Sequence, residues 1–361
     1  MQNAAPLAEP QRDNGGLFLP GGILSRRICF VQVRRVFLST ERNAVMLKMR
    51  HLIENFDLAR EALSHFEHDA ATLNDTLTHF RISANAIYPY LCGGQPRFLR
   101  LAPVDEKDER ALRAEQEFLF YLAQNDYPAM RPVPAKNGET LLRLHTRWGE
   151  YFACAFTGVP GMPIEDMPLT EPVALQYGRS LGRLHALSAK FAPTLRRMDH
   201  TALLTSLHSS FAGDPALADV CDRLAETLAL LPRTGETYGL VHYDFEPDNV
   251  FFDAKTGLCH AIDFDDSLYC WFALDIEQAL DCTAPAFHAA FLSGYAQEHP
   301  LDPDLSALRP LLRRLIDLRA LARILHCLSD PVSNEPDWMP PLRARLQQRA
   351  AALRATLTAE A

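Results

Sequence analysis

A polar loop between short β-prone runs, in a half of the chain that is otherwise helical, constrains the fold more than any other feature. The run YGLV precedes the loop HYDFEPDN, and the runs NVFFD and CHAID follow it before an acidic stretch, DFDD. Short apolar runs bounded by turn residues are typical of strands. The segments Glu171–Ser188 and Thr201–Leu231, and the chain after Ala273, have helical apolar spacing instead. We therefore predict small strands that border a polar loop within a mainly helical region.

Four polar residues in this segment have the order and spacing that phosphoryl transfer requires. Asp244 and Asn249 lie in the loop, five residues apart, and Asp263 ends a following strand. Phosphoryl transfer needs a carboxylate beside the attacking hydroxyl and oxygen ligands that hold magnesium on the phosphates. We predict Asp244 as the catalytic base, Asn249 and Asp263 as metal ligands, and His242 as a residue that orients the loop by hydrogen bonding. A single Asp in a turn is more often a cap or turn residue, so the prediction depends on the whole set.

The same segment resembles the motifs of a known enzyme family. HYDFEPDN is similar to the H-x-D-x-x-x-x-N catalytic loop of the aminoglycoside phosphotransferase and choline kinase-like family, and AIDFDD is similar to its metal-binding segment. The resemblance spans roughly Phe56 to Gly294 and includes YGRSLGRLHALS. It implies an α+β, protein kinase-like two-lobed fold, with a small N-terminal lobe of antiparallel sheet and helix and a larger, mainly helical C-terminal lobe. It also implies ATP and Mg²⁺ as cofactors.

Asp275, in WFALDIEQAL, stands where the resembling enzymes have an acid that anchors the catalytic loop from the next helix. An acid in the first turn of a helix is also favoured by the helix dipole alone. Both interpretations of Asp275 stay open from the sequence.

The first lobe contains a candidate cation for the nucleotide phosphates. Arg100, in RFLRL, stands where similar kinases have a strand lysine, and Glu115 lies within an apolar helical stripe formed by Leu112, Leu119 and Leu122. A carboxylate buried there requires a partner, because an unpaired buried charge is costly. We predict an Arg100–Glu115 ion pair at the nucleotide site. A salt bridge within the lobe that makes no nucleotide contact is the alternative.

The loop expected to cover the phosphates has no glycine. Kinases usually have a glycine-rich loop there, whereas this chain has the hairpin RISANAIYPY. Ser83 is small enough for close backbone approach, and either Ser83 or Asn85 is a candidate side-chain donor to a phosphate.

The length of 361 residues favours two lobes over one core. The Gly- and Pro-containing stretch TGVPGMPI suggests the linker between them. We predict a disordered extension over residues 1–45, a nucleotide-binding lobe over 46–157, and a catalytic and substrate-binding lobe over 158–361.

Charge and cysteine content limit the partners and the compartment. The net charge of −9 argues against nucleic-acid binding, which requires a basic face. The eight cysteines form no CxxC pair, and we interpret them as free, buried thiols of a reducing compartment. No apolar run approaches the roughly 20 residues of a membrane-spanning helix. We therefore expect a soluble, cytoplasmic protein without a membrane partner.

The predicted function is transfer of the γ-phosphoryl group of ATP to a hydroxyl of a small molecule. Five acids surround the predicted site, and an acidic cleft favours a cationic acceptor such as an aminoglycoside, a choline-like alcohol or an amino sugar. Helix capping, metal binding or simple solvation would also explain these acids, which are Glu246, Asp248, Asp265, Asp266 and Glu277.

Two alternatives stay open from the sequence. A protein Ser/Thr kinase has the same fold, but only 11 residues separate Asp263 from Asp275, which leaves little room for a peptide platform. A pseudokinase that binds nucleotide and acts through a protein partner is favoured by the missing glycine loop and disfavoured by the intact Asp244.

Overall fold

The computed structural model describes residues 47–330 and 335–359. The predicted extension over residues 1–45 lies outside this part of the chain. Among the described helices, none combines the length and the apolar character that crossing a lipid bilayer would require.

An antiparallel sheet of six strands forms the first half of the fold. Its strands are β1 (Arg81–Ile82), β2 (Ala86–Cys92), β3 (Gln95–Pro103), β4 (Pro132–Val133), β5 (Leu142–Thr146) and β6 (Gly149–Thr157). The order is β1-β2-β3-β6-β4, and β5 pairs with the same strand β6. The pair Gly93–Gly94, which is typical of a hairpin turn, joins β2 to β3 with φ values of +57° and +69° that glycine adopts without strain.

Three helices accompany this sheet: α1 (Phe56–Leu63), α2 (Leu73–Leu77) and α3 (Glu109–Gln124). The apolar spacing of FDLAREALSHFEH predicts a helix from Phe56 to His68, but α1 ends at Leu63. The composition of the stretch NDTL is typical of a turn, but this stretch lies in α2. Asp108 caps α3, since its side chain accepts a hydrogen bond from the Arg110 N–H.

The second half of the fold is mainly helical, as predicted. Its helices are α4 (Glu171–Ser188), α5 (His200–Ser210), α6 (Pro215–Ala229), α7 (Ala273–Asp281), α8 (His288–Ala296), α9 (Leu305–Cys327) and α10 (Met339–Ala359). Its short strands are β7 (Met162–Pro163), β8 (Tyr238–Val241), β9 (Val250–Asp253), β10 (Leu258–Ala261) and β11 (Leu268–Trp271).

These short strands form two small sheets around the polar loop. One sheet has the order β10-β9-β7, and the other pairs β11 with β8. The segment TGVPGMPI, predicted as a linker, therefore contributes strand β7 to the second half of the fold. Strands β8 and β9 flank the loop HYDFEPDN, so its two ends are fixed by different sheets.

Helices α4 and α8 approach each other closely because glycines face the contact. A Cβ atom added at Gly178 would lie 1.9 Å from the Phe291 carbonyl oxygen, and one at Gly294 would lie 1.9 Å from the Leu175 carbonyl oxygen. Only glycine permits this backbone separation.

The described cysteines are free thiols, as predicted, but not all are buried. Cys92 and Cys282 are half-buried, whereas the other described ones are buried: Cys154, Cys221, Cys259, Cys270 and Cys327.

Candidate active site

The loop between β8 and β9 brings Asp244 and Asn249 into direct contact. The Asn249 Nδ2 atom donates to the Asp244 carboxylate over 2.8 Å and to the Asp244 backbone carbonyl over 3.0 Å. Because the amide nitrogen is turned toward Asp244, Oδ1 is the Asn249 atom that could coordinate a cation.

His242 joins this loop to the strand that leads to Asp263. Its Nδ1 atom accepts a hydrogen bond from the Asp244 N–H over 3.2 Å, and its Nε2 atom donates to the Ile262 carbonyl over 3.0 Å. Burial lowers the pKa of His242, so that the neutral ring with one donor and one acceptor is stabilised. The ring holds the two chain segments in a fixed relation.

Asp275, in the first turn of α7, lies under the same loop. Its fully buried carboxylate accepts hydrogen bonds from the N–H groups of His242 and Tyr243, each over 2.7 Å, and contacts the His185 Nε2 atom over 3.0 Å. A solvated helix acid would not make these contacts, so the geometry favours the anchoring interpretation.

Sequence reasoning did not select His185 or Gln278, which also support the loop. His185 lies on α4, in the quoted stretch YGRSLGRLHALS, and a histidine within an apolar helical face was a usable signal. The Gln278 Nε2 atom donates to the Tyr243 carbonyl over 2.8 Å.

Two non-glycine residues of the site have left-handed backbone conformations. The φ angle is +66° at Tyr243 and +61° at Asp263. Such conformations cost about 1–3 kcal/mol each and persist only where surrounding contacts fix them. Asp275 and Gln278 bind the backbone of Tyr243 from both sides of this strained residue. The Asp244 and Asp263 carboxylates lie within electrostatic reach of each other.

The Asp263 side chain is half-buried beside other carboxylates. Burial and the neighbouring Asp265 raise the pKa of Asp263 to about 6. Burial, with Glu246 and Asp248 nearby, raises the pKa of Asp244 well above its usual range. Crowded carboxylates of this kind are stabilised by a divalent cation, and oxygen ligands suit Mg²⁺. The donor atoms of Asn249 and Asp263 therefore fit a hard cation.

The predicted ion pair between Arg100 and Glu115 forms. The Nη1 and Nη2 atoms of Arg100, on β3, donate to the two carboxylate oxygens of Glu115, on α3, over 3.0 and 2.5 Å. Both residues are buried, and the guanidinium also stacks 4.7 Å from the centre of the Phe156 ring. Two parallel hydrogen bonds fix the orientation of the guanidinium.

The β1–β2 hairpin is tied to the metal-binding segment through Asn85. The buried Asn85 side chain donates from Nδ2 to the Asp265 carboxylate over 3.1 Å, and the Ser83 N–H donates to the Asn85 carbonyl over 3.0 Å. One of the two Asn85 side-chain protons is therefore engaged with Asp265. The half-buried Ser83 lies at the tip of the same hairpin.

Glu117 lies about 200° around α3 from Glu115, at 3.6 residues per turn, and its position therefore predicts a solvated side chain. The side chain is partly exposed, but it also binds a neighbouring loop. Its carboxylate accepts hydrogen bonds from the N–H groups of Thr194 and Leu195, over 2.7 and 2.9 Å, and the side chain is half-buried against that loop.

Basic residues neutralise several of the acids around the loop. Asp265 pairs with Lys107, Asp266 with Arg319 and Arg323, Glu277 with Arg309, and Asp248 with Arg81. Asp265 and Asp266 are therefore not solvated loop acids. Since these partners reduce the negative potential, the acids do not make the cleft as acidic as the sequence suggested.

Comparison with known proteins identifies a family whose members are similar to this chain. Residues 90–311 match the Phosphotransferase enzyme family. An amicoumacin kinase of Bacillus subtilis (strain 168) is 25% identical over 251 residues, which are 64% of this chain and 74% of that protein. A homoserine kinase of Rhodopseudomonas palustris (strain ATCC BAA-98 / CGA009) is 32% identical over 275 residues, 68% of this chain and 80% of that protein.

A solved structure has the same fold. It is an amicoumacin kinase in complex with AMP-PNP, Ca²⁺ and Ami, with a TM-score of 0.64 and 20% identity over 82% of this chain and 93% of that one. The kinase-like fold of a sheet-containing N-terminal lobe and a mainly helical C-terminal lobe is thus confirmed. The predicted enzyme class, an ATP-dependent phosphotransferase with an alcohol of a small molecule as acceptor, is confirmed as well. The chain belongs to the phosphotransferase enzyme family.

Proposed function

We propose that Asp244 is the catalytic base of a Mg²⁺-dependent kinase in which Asn249 and Asp263 hold the metal. The observation that supports this most is the contact between Asn249 and the Asp244 carboxylate, within electrostatic reach of the Asp263 carboxylate. A base and two oxygen ligands close together are what phosphoryl transfer requires of a protein.

In this proposal Asp244 accepts the proton of the acceptor hydroxyl. The acceptor oxygen forms a bond to the γ-phosphorus of ATP while the bond from that phosphorus to the bridging oxygen breaks, and ADP leaves with the electron pair. When bound, Mg²⁺ neutralises charge on the phosphate oxygens.

Arg100 supplies positive charge to the nucleotide phosphates in the proposed complex. Its orientation is fixed by Glu115, so little side-chain entropy is lost when nucleotide binds. Ser83 and the second Asn85 side-chain proton are the further donors that the hairpin offers from the other side.

The acceptor that we propose is a small alcohol bearing an amine. Homoserine, named in the R. palustris relative, has both a hydroxyl and an amine. The ion pairs formed by Asp265, Asp266 and Glu277 weaken the electrostatic argument for a cationic acceptor. Support for the amine therefore comes from the relatives more than from the charge of the cleft.

The test is a comparison of turnover and nucleotide binding. ATP-dependent phosphorylation is measured over a panel of hydroxylated amines with the wild type, Asp244→Asn and Asp222→Asn, which alters an exposed acid of α6. We expect the Asp244→Asn variant to lose about 10²- to 10⁴-fold in kcat while its Kd for ATP stays unchanged. Full turnover by this variant would remove Asp244 from the mechanism. ATP binding without phosphorylation of any panel member by the wild type would favour a pseudokinase.

A further inference from the structure

Two arginines of α9 share a single carboxylate beside the proposed active site. Arg319 and Arg323 lie one helical turn apart, and the Nη2 atoms of both contact the Asp266 Oδ1 atom, that of Arg319 over 3.0 Å. Their side chains are only 11% and 18% exposed. Two guanidiniums against one carboxylate leave an excess positive charge, and like charges one turn apart repel each other.

The hydrogen-bonding capacity of this pair is incompletely used within the described part of the chain. The Arg319 Nη1 atom is buried and makes no hydrogen bond, and the same is true of the Tyr243 hydroxyl. The Arg319 guanidinium lies over the Tyr243 ring, 3.8 Å from its centre, and interacts electrostatically with the Tyr243 hydroxyl. The Arg319 Nη1 atom nevertheless makes no hydrogen bond of good geometry with a described residue. An unsatisfied buried donor on a charged group is costly, and an anion would relieve this cost.

The pair lies next to the reacting groups. Tyr243 directly precedes Asp244, and Asp266 follows Asp263 by three residues. Although burial lowers it, the pKa of Arg323 is raised overall by Asp266 and also by Asp244, which places Arg323 within electrostatic reach of the proposed base. Arg100, the candidate cation for nucleotide phosphates, lies on β3 of the N-terminal sheet instead. The two basic sites therefore belong to different elements, and they face the neighbouring acids Asp265 and Asp266.

We propose that Arg319, supported by Arg323, binds a carboxylate of the phosphoryl acceptor. This inference rests on the proposed function, since it concerns the acceptor side of the same site. The planar fork of an arginine matches a carboxylate with two parallel hydrogen bonds. The acceptor would then carry a hydroxyl for Asp244 and an anionic group for Arg319.

The experiment compares three matched acceptors. L-Homoserine carries an amine and a carboxylate, 3-aminopropan-1-ol has the amine alone, and 4-hydroxybutyrate has the carboxylate alone. They are tested with the wild type, with Arg319→Gln, which leaves the Arg323–Asp266 pair, and with Arg313→Gln as control. Arg313 lies on the same helix but pairs with Asp281 and Asp317.

We expect the wild type to have a kcat/KM for L-homoserine about 10- to 100-fold above that for 3-aminopropan-1-ol, as for a charge-assisted hydrogen-bond pair. Arg319→Gln should abolish this preference, mainly by raising KM for the two acids, and Arg319→Lys should retain part of it. Arg313→Gln should keep the wild-type preference. Thermal unfolding of each variant establishes that it is folded.

The alternative outcomes separate the two proposals. A wild type that binds no ATP contradicts the proposed function. A wild type that binds ATP but prefers 3-aminopropan-1-ol, or uses neither acid, contradicts the carboxylate inference alone. If Arg319→Gln weakens ATP binding while the acid preference persists, the arginine serves a nucleotide phosphate and the acceptor assignment is overturned.

Discussion

His200 shows how single side chains set the pH range in which the fold is stable. Its ring donates from Nδ1 to the Tyr238 hydroxyl over 2.8 Å, because that hydroxyl itself donates to the Tyr269 carbonyl, and Nε2 accepts from Arg233 over 3.2 Å. Burial and Arg233 lower the pKa of His200 from 6.5 to about 4. The unfolded state therefore binds more protons between these pH values, and the free energy of unfolding falls as pH drops from about 6.5 toward 4.

Urea unfolding at several pH values checks this prediction. His200→Asn retains a donor toward Tyr238 but has no group that titrates, so its free energy of unfolding should fall less between pH 7 and pH 4.5 than that of the wild type. Other buried histidines contribute to the background fall in both proteins. An identical pH dependence in the two proteins would contradict the role of His200.

Asp275 is the residue whose replacement should disturb the loop most without touching a substrate. In Asp275→Asn the new amide group faces three donors, but its NH₂ end cannot accept a hydrogen bond. At least one buried donor therefore loses its partner, and we expect the free energy of unfolding to fall by about 1–3 kcal/mol. The strained Tyr243 backbone is also released, and kcat should fall while the KM for ATP changes little. Asp281→Asn, on the same helix, is the control. Wild-type kcat in folded Asp275→Asn would remove Asp275 from the positioning of Asp244.

At the scale of elements, the contact between α4 and α8 depends on its glycines. In Gly178→Ala the new Cβ atom would lie 1.9 Å from the Phe291 carbonyl oxygen, so the helices must separate. We expect the free energy of unfolding to fall by at least about 2 kcal/mol. Gly213→Ala is the matched control, because its Cβ meets no atom within 4 Å, and it should be neutral or slightly stabilising. Equal stability of the two variants in urea would contradict the close packing.

Local sequence signals predicted some elements well and others poorly. The bounds of α4 agree with the predicted Glu171–Ser188 because its apolar period is regular and both ends have turn signals. Helix α2 was predicted as a turn, since its five residues, Leu73–Leu77, are too few to show a period. Strand β7 was predicted as linker because its pairing with β9 joins residues far apart in sequence, which no local pattern reveals.

For the whole molecule, the motif residues predicted the kinase-like fold, which is confirmed, whereas the roles of the site residues stay predictions. The Arg100–Glu115 ion pair could be predicted because a carboxylate within an apolar helical stripe is costly to bury without a partner. The partners of Asp265 and Asp266 could not be predicted, because Lys107, Arg319 and Arg323 come from a loop and a helix that carry no motif. The lobe boundary at residues 157–158 and the cytoplasmic location stay predictions.

The central claim is that Asp263 and Asn249 hold a divalent cation on bound ATP, and one calorimetric titration tests it most directly. ATP is titrated into the wild type, Asp263→Ala and the control Asp219→Ala, with and without Mg²⁺. We predict Mg²⁺-dependent ATP binding in the wild type and the control that is weakened at least about tenfold, by 1.4 kcal/mol or more, in Asp263→Ala. Equal Mg²⁺-dependent affinity in all three proteins would contradict the metal assignment, and no ATP binding by the wild type would contradict the kinase mechanism itself.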